Sequence, residues 1–285
     1  MKNLASVSFH YGNLVNYSAS LNEYKIGWWL GLPATSGGKF FYDLLELNSG
    51  TLSGFSDASY GWRGSTKPSG YTSLRLNGNG DYISVSDNTK FQFSTNNFSV
   101  SCWFMLETLN NVNSNGRQTV VSRYEPSNSK GFSIDINTSG QLIFRVAESA
   151  ASYGEYSSAV SKIAANTWYH CLAVRQGQYA YLYLNGALVS SGSAASTFDI
   201  SSASQNLLLG DLQTNGGQHQ YLQGYIDDIA IYNTALASQF GQRIYNESIT
   251  DYQMTLNKIP LNRTFPIAAP WIYFNTLQNA YGVSL

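Results

Sequence analysis

Residues 224–236, Gly224-Tyr225-Ile226-Asp227-Asp228-Ile229-Ala230-Ile231-Tyr232-Asn233-Thr234-Ala235-Leu236, set two adjacent carboxylates inside an apolar, strand-like run. An ionised carboxylate buried without a partner is costly, so each Asp needs something to hold it. Successive side chains of a strand point to opposite faces. Asp227 then shares a face with Ile229 and Ile231, and Asp228 shares one with Ile226, Ala230 and Tyr232. Two carboxylates split across a sheet cannot flank one scissile bond. The stretch reads as a late strand whose Asp residues tie down neighbouring loops or a single cation, and NTALASQF as its exit into a short helix.

Outward from this strand, short β-rich runs alternate with Gly, Asn and Ser turns, the spacing of a two-sheet sandwich. In FSVSCWFML, Phe98, Val100, Cys102 and Phe104 fall on one face, with Ser99, Ser101, Trp103 and Met105 on the other. YAYLYLNGALVSSG is a hairpin closed by Asn185-Gly186, because a type I′ turn needs positive φ at both central positions. Further strands are expected at Ile26 to Leu32, Gly131 to Asn137, Gln141 to Ala147, Trp168 to Gln176 and Asn206 to Asp211. One helix is expected from Ser238 to Asn246, with Phe240, Ile244 and Tyr245 toward the sheet and Gly241 as its weak point. Residues 1–26 read as an extended arm, 27–248 as the sandwich domain, and 249–285 as a docking tail. In the tail, Pro260, Pro266 and Pro270 interrupt an apolar segment and exclude a regular interior helix or strand.

Only 12% of the 285 residues are charged, about half the usual share, while 14% are aromatic, including 21 Tyr. Tyr, Gly, Ser and Asn therefore form the surface, a palette suited to carbohydrate binding or assembly. A net charge of -1 supplies no basic field for nucleic acid and no polybasic membrane patch, and no apolar run is long enough to span a bilayer. The N-terminus, MKNLASVSFHYGNLV, lacks the continuous apolar core of a signal peptide. Cys102 and Cys171 lie in strands and read as buried thiols or as one bridge between neighbouring strands. Neither has a second ligand at zinc-finger spacing.

The order LRLNGNGDYISVSD, FSVSCWFML, NTWYHCLAVRQGQYAYLYLNGALV, LLLGD and LQGYIDDIAIYNTALASQFGQRIYN resembles laminin-G-like, concanavalin A-like jelly rolls over residues 27–248, and also the related pentraxin fold. GWWLGLPATSGGKFFYDLLELNSGTLSG upstream looks like the opening of laminin-G-like proteins encoded by bacteriophages and environmental microbes. The resemblance implies an all-β sandwich of two antiparallel sheets of six or seven strands, one sheet offering a ligand groove or rim loops. By position in the pentraxin pattern, Asp211 and Gln213 after LLLG, with Glu125 and Asn128 of the loop SRYEPSNSKGF facing them, become the ligand-binding set. Calcium is the cofactor it implies, although pentraxins place more acids at this rim. The two cysteines resemble the pentraxin bridged pair, each displaced by one position. A separate structural cation would use Asp81 of the GNGDYI turn with Asp227 or Asp228.

Catalytic patterns are missing from the sequence. There is no Glu-x-Asp-x-x-Glu strand, no Gly-x-Ser-x-Gly elbow and no phosphate loop, and His10, His170 and His219 stand far apart. Sugar binding would rest on exposed rings, for which Trp62, Tyr124, Tyr153, Tyr156 and Tyr221 are the loop candidates. The expectation is a non-enzymatic, oligomeric virion protein, its arm and tail docking to other virion proteins and its rim loops meeting cell-surface glycans. A bacterial carbohydrate-binding or adhesion module at the cell surface, and a polysaccharide-cleaving enzyme on the same fold, are the competing readings.

Overall fold

The computed structural model describes residues 23–31, 39–43, 45, 48–56, 61–64, 72–114, 116–202 and 204–250. The expected arm up to residue 22, the docking tail from 251, and His10 lie outside the described residues. Among the described residues, two antiparallel sheets of eight strands each face one another. The back sheet holds β1 (Lys25–Trp29), β4 (Trp62–Gly64), β5 (Thr72–Asn77), β7 (Phe98–Leu106), β12 (Tyr169–Gln176), β13 (Tyr179–Leu184), β14 (Ala187–Ser193) and β16 (Gln223–Tyr232). The front sheet holds β2 (Phe40–Phe41), β3 (Gly50–Ser53), β6 (Tyr82–Val85), β8 (Arg117–Glu125), β9 (Lys130–Asn137), β10 (Leu142–Ala147), β11 (Tyr153–Ser157) and β15 (Leu207–Leu209).

The expected alternation in β7 holds. Phe98, Val100, Cys102 and Phe104 enter the core between the sheets, where they meet Phe132, Ile134 and Ile136 of β9 and Leu142, Phe144 and Val146 of β10. The Asn185-Gly186 turn has φ of 49° and 79°, as a type I′ hairpin requires. The helix α1 runs from Ser238 to Thr250, one turn beyond the sequence expectation. Its Ile244 seals a second apolar cluster on the outer face of the back sheet, with Trp28, Leu172, Val174, Tyr183, Ala230 and Tyr232. Gly241 lies where a Cβ would come 3.1 Å from the Tyr183 ring, so the residue that weakens the helix also lets it approach the sheet. Covered on both faces, β16 reads as nearly continuous apolar sequence.

The one departure from even alternation falls on Asp227 and Asp228. β16 pairs with β7 as Asp227↔Trp103 and then Ala230↔Ser101, three steps against two, which is a bulge. Asp228 takes φ of 45°. The extra residue resets the phase, so Ile226, Ile229 and Ile231 all enter the core, and Ala230 and Tyr232 face α1. This corrects the uninterrupted alternation expected from the sequence, which put Ile226 on the face opposite Ile229 and Ile231.

The bulge marks a change of neighbour. Residues 223–226 pair with β5, whereas residues 229–232 pair with β1 along the same edge. Across that break, Asp227 Oδ1 accepts hydrogen bonds from Gly31 N at 2.7 Å and Asp228 N at 2.7 Å, and Asp228 Oδ1 accepts from Trp28 Nε1 at 2.8 Å. The incoming chain is secured from the other side by buried Asp43, whose carboxylate accepts from Trp28 N, Leu45 N and Asn48 N at 2.8, 3.0 and 3.0 Å. Trp29 is then driven into the core and Trp28 beneath the helix cluster.

Cys102 and Cys171 face each other directly in the β7–β12 register as buried free thiols, the unbridged alternative of the sequence reading. Burial, and then the Cys102 thiol beside it, push the Cys171 thiol well above its ordinary value.

Two outcomes follow from this packing. Asp227→Ala orphans the buried Gly31 N–H and the half-buried Asp228 N–H and should cost about 2–4 kcal/mol in urea unfolding, while Asp228→Asn, which tolerates positive φ and keeps an acceptor for Trp28, should cost less than about 1 kcal/mol. A thiol reagent should label neither cysteine of the native protein and both after denaturation; rapid labelling of the native chain would contradict the buried placement.

Candidate functional site

Because Phe132, Ile134 and Ile136 enter the core, Ser133 and Asp135 of β9 must face outward, and the same alternation turns Arg145 of β10 and Glu155 of β11 to that outer face of the front sheet. Arg145 lies directly opposite both Ser133 and Glu155 in register. Arg117 forks onto Glu155, with Nη1 to Oε1 at 2.7 Å and Nη2 to Oε2 at 3.1 Å, and Arg145 Nη1 donates to Oε1 at 3.3 Å. Tyr153 and Tyr124 flank the Arg145 guanidinium, its carbon 4.5 and 5.6 Å from their ring centres.

Beneath this cluster Asp135 accepts from the hydroxyls of Thr119 and Ser133, each at 2.7 Å, with Arg117 Nη1 3.9 Å away. Thr119 Oγ1 also lies 3.1 Å from Gln220 Oε1, which joins the cluster to the 211–222 loop. That loop hangs from buried Asp211, whose carboxylate meets His219 Nδ1 at 2.6 Å and Gln220 N at 3.1 Å while its carbonyl accepts from Ser122 Oγ at 2.7 Å. Tyr221 stacks on the His219 imidazole, with centroids 4.5 Å apart and planes 4° from parallel. The result is a polar face with an Arg–Tyr cluster on one side and a His–Tyr stack on the other.

The residues nominated from sequence distribute unevenly over this face. Asp211 is part of it, and Gln213 bridges to His219 in the same loop. Glu125 and Asn128 are not: they bond to each other at 2.8 Å in the β8–β9 turn. Gly210 N–H bonds the Val120 carbonyl and the Asp211 carbonyl accepts from Ser122 Oγ, so three to five residues of β8, roughly 10–17 Å of extended chain, separate Asp211 from Glu125. The expected rim set therefore does not converge. Asp81 closes its own turn with Asn77, accepting from Asn77 N at 3.1 Å. It sits at the Gln223 end of β16, about 13 Å of strand from Asp227, so those carboxylates do not meet either. Among the described residues no three His, Cys, Asp or Glu side chains gather as a metal site. Of the candidate rings, Tyr124, Tyr153 and Tyr221 reach the face. Tyr156 turns inward against Phe144, and Trp62 packs edge-on against Phe41.

Sequence reading missed Arg117, Asp135, Arg145, Glu155 and His219 as site residues. A signal existed for Asp135 and Arg145, which occupy the polar positions of FSIDIN and LIFRVA, but nothing local places them beside Glu155.

The chemistry of the face favours contact over cleavage. Asp135 and Glu155 both lie against Arg117, but the Asp135 side chain is only 2% exposed and capped by two hydroxyls. Glycoside cleavage needs two carboxyls open to one bond. Burial raises the Asp135 carboxyl above its ordinary value despite the Ser133 and Thr119 bonds. Burial also opposes ionisation of Glu155, but hydrogen bonds and charge from Arg117, then Arg145, outweigh it and hold that carboxyl low. Glu155 thus contributes stability that is present above its unfolded value and lost as pH falls through the lower folded one, and Asp135 shifts in the opposite sense. Carboxyl carbon shifts followed by NMR should show Glu155 titrating below an ordinary glutamate and Asp135 above an ordinary aspartate; unshifted midpoints would contradict the network.

The fold agrees with known proteins. It is similar to the receptor binding domain of botulinum neurotoxin C/D mosaic serotype, 19% identical over 79% of this chain and 51% of that one, with a TM-score of 0.59. It is also similar to the binding domain of Paraclostridial Mosquitocidal Protein 1, 20% identical over 80% and 53%, TM-score 0.61. A third is the botulinum neurotoxin serotype D ligand binding domain in complex with N-acetylneuraminic acid, 18% identical over 80% and 52%, TM-score 0.58. The chain spans about half the length of these structures. No curated protein sequence matches it. The laminin-G-type model of the concanavalin A-like lectin/glucanases superfamily matches residues 77–239, from the end of β5 into the start of α1, and the chain belongs to that superfamily.

Proposed function

We propose that the chain is a non-catalytic glycan-binding module that holds its ligand on the outer face of the front sheet. The observation that carries this reading is the Arg145 guanidinium fixed between Tyr153 and Tyr124 and pinned by Glu155. Sugars combine apolar C–H faces with arrays of hydroxyls, and a half-exposed ring beside fixed planar polar groups answers both. Tyr153 is 48% exposed and ready for stacking. Similarity to a binding domain described with N-acetylneuraminic acid supports a carbohydrate ligand in general. The reading holds whether the module sits on a virion or at a cell surface, because it depends on the front sheet alone.

A glycan array followed by calorimetry tests it. Tyr153→Ala should lower affinity about tenfold, the worth of one stacked ring at about 1.4 kcal/mol. Tyr225→Ala, on the outer side of the back sheet, should leave it unchanged. Equal affinity in wild type and Tyr153→Ala would move the ligand off this face.

A further inference from the structure

We propose that Glu155 sets the charge preference of the front-sheet face, making it a site for uncharged glycans that discriminates against acidic ones. This rests on the glycan-binding reading above and goes beyond it by naming the ligand class and the residue responsible.

The argument is one of charge balance. Among the described residues the cations of the face are Arg117 and Arg145, whose side chains are 29% and 22% exposed, so a ligand can reach both. Each is already engaged by Glu155, itself 24% exposed: Arg117 through both of its terminal nitrogens, Arg145 through one. Asp135 lies 3.9 Å from Arg117 as a second anion, and across the face His219 is paired to Asp211. Two guanidinium groups thus face Glu155, Asp135 and Asp211, leaving no surplus of positive charge for an incoming carboxylate. An acidic sugar would have to displace Glu155 from two arginines while exposing its own charge to three carboxylates. Hydroxyls of an uncharged sugar need no such exchange, because they accept from guanidinium N–H groups and donate to carboxylate oxygens without altering the balance.

Glu155→Gln keeps the size of the side chain and removes the charge, releasing both arginines from their shared anion. The test is an array of matched glycans, the same core with and without a terminal sialate or uronate, read with wild type, Glu155→Gln and Glu155→Asp at low and high salt. Wild type and Glu155→Asp should prefer the uncharged member, with affinity nearly independent of salt. Glu155→Gln should shift the acidic-to-neutral affinity ratio about tenfold toward the acidic member, and salt should erode that gain. A gain of affinity cannot arise from damaged folding. Should Glu155→Gln not fold, the wild-type preference and its salt dependence still decide. Wild type favouring acidic glycans, or an unchanged ratio in a Glu155→Gln protein that still binds, would overturn the assignment and leave the binding face standing. A wild-type protein that binds no glycan of either kind would overturn the binding reading and this assignment with it.

Discussion

The fold turns on one buried carboxylate. β16 is an interior strand of the back sheet, yet the chain beside it changes identity midway, from β5 to β1. Where one neighbour stops and another begins, backbone N–H groups lose their ladder partners, and burial makes that loss expensive. Asp227 supplies the missing acceptor for Gly31 and for its own successor, and Asp228, held at positive φ, reaches Trp28. β1 is thereby fastened to the middle of the sandwich. Its two tryptophans then divide between the core and the helix-side cluster.

That fastening decides which surface is left for a ligand. α1 and Trp28 cover the outer face of the back sheet with apolar contacts, and the few polar groups beneath them are locked: Ser99 bonds the Thr234 carbonyl, and Ser101 bonds buried His170. On the front sheet the outward positions of β8 to β11 carry Arg, Glu, Asp, Thr and Tyr in place of apolar side chains. In a chain with so few charges, two Arg and two acids on neighbouring strands are a concentration of the polar chemistry the molecule has. Their mutual pairing keeps them rigid, which reduces the ordering entropy a ligand must overcome.

Much of the scaffold was legible because its signals are local. The period of two in FSVSCWFML, the Asn185-Gly186 turn and the start of α1 at Ser238 each depend on a few neighbouring residues. The bulge was not legible, since Asp227-Asp228 reads as ordinary alternation until the change from β5 to β1 is known. β11 was missed for a related reason. YGEYS lies at the edge of the front sheet with only Tyr156 buried, so it lacks an apolar stripe. With β11 went Glu155, and with Glu155 the link between Arg117 and Arg145.

The failed rim set carries the same lesson in reverse. Glu125, Asn128, Asp211 and Gln213 were grouped by position in a related pattern, but the β8–β15 pairing sets Asp211 beside the middle of β8, while Glu125 and Asn128 bond to each other at the turn beyond its end. Asp211 kept a role by a different route: burial beneath its own loop, where it fixes His219 and Gln220, and through Gln220 reaches Thr119 and Asp135. Its carboxylate is occupied in shaping the face, so what a ligand meets from this loop is the stacked His219 and Tyr221. The acids of this protein work mainly by holding other groups in place: Asp227 holds a strand, Asp43 a turn, Asp211 a loop and Glu155 a pair of arginines.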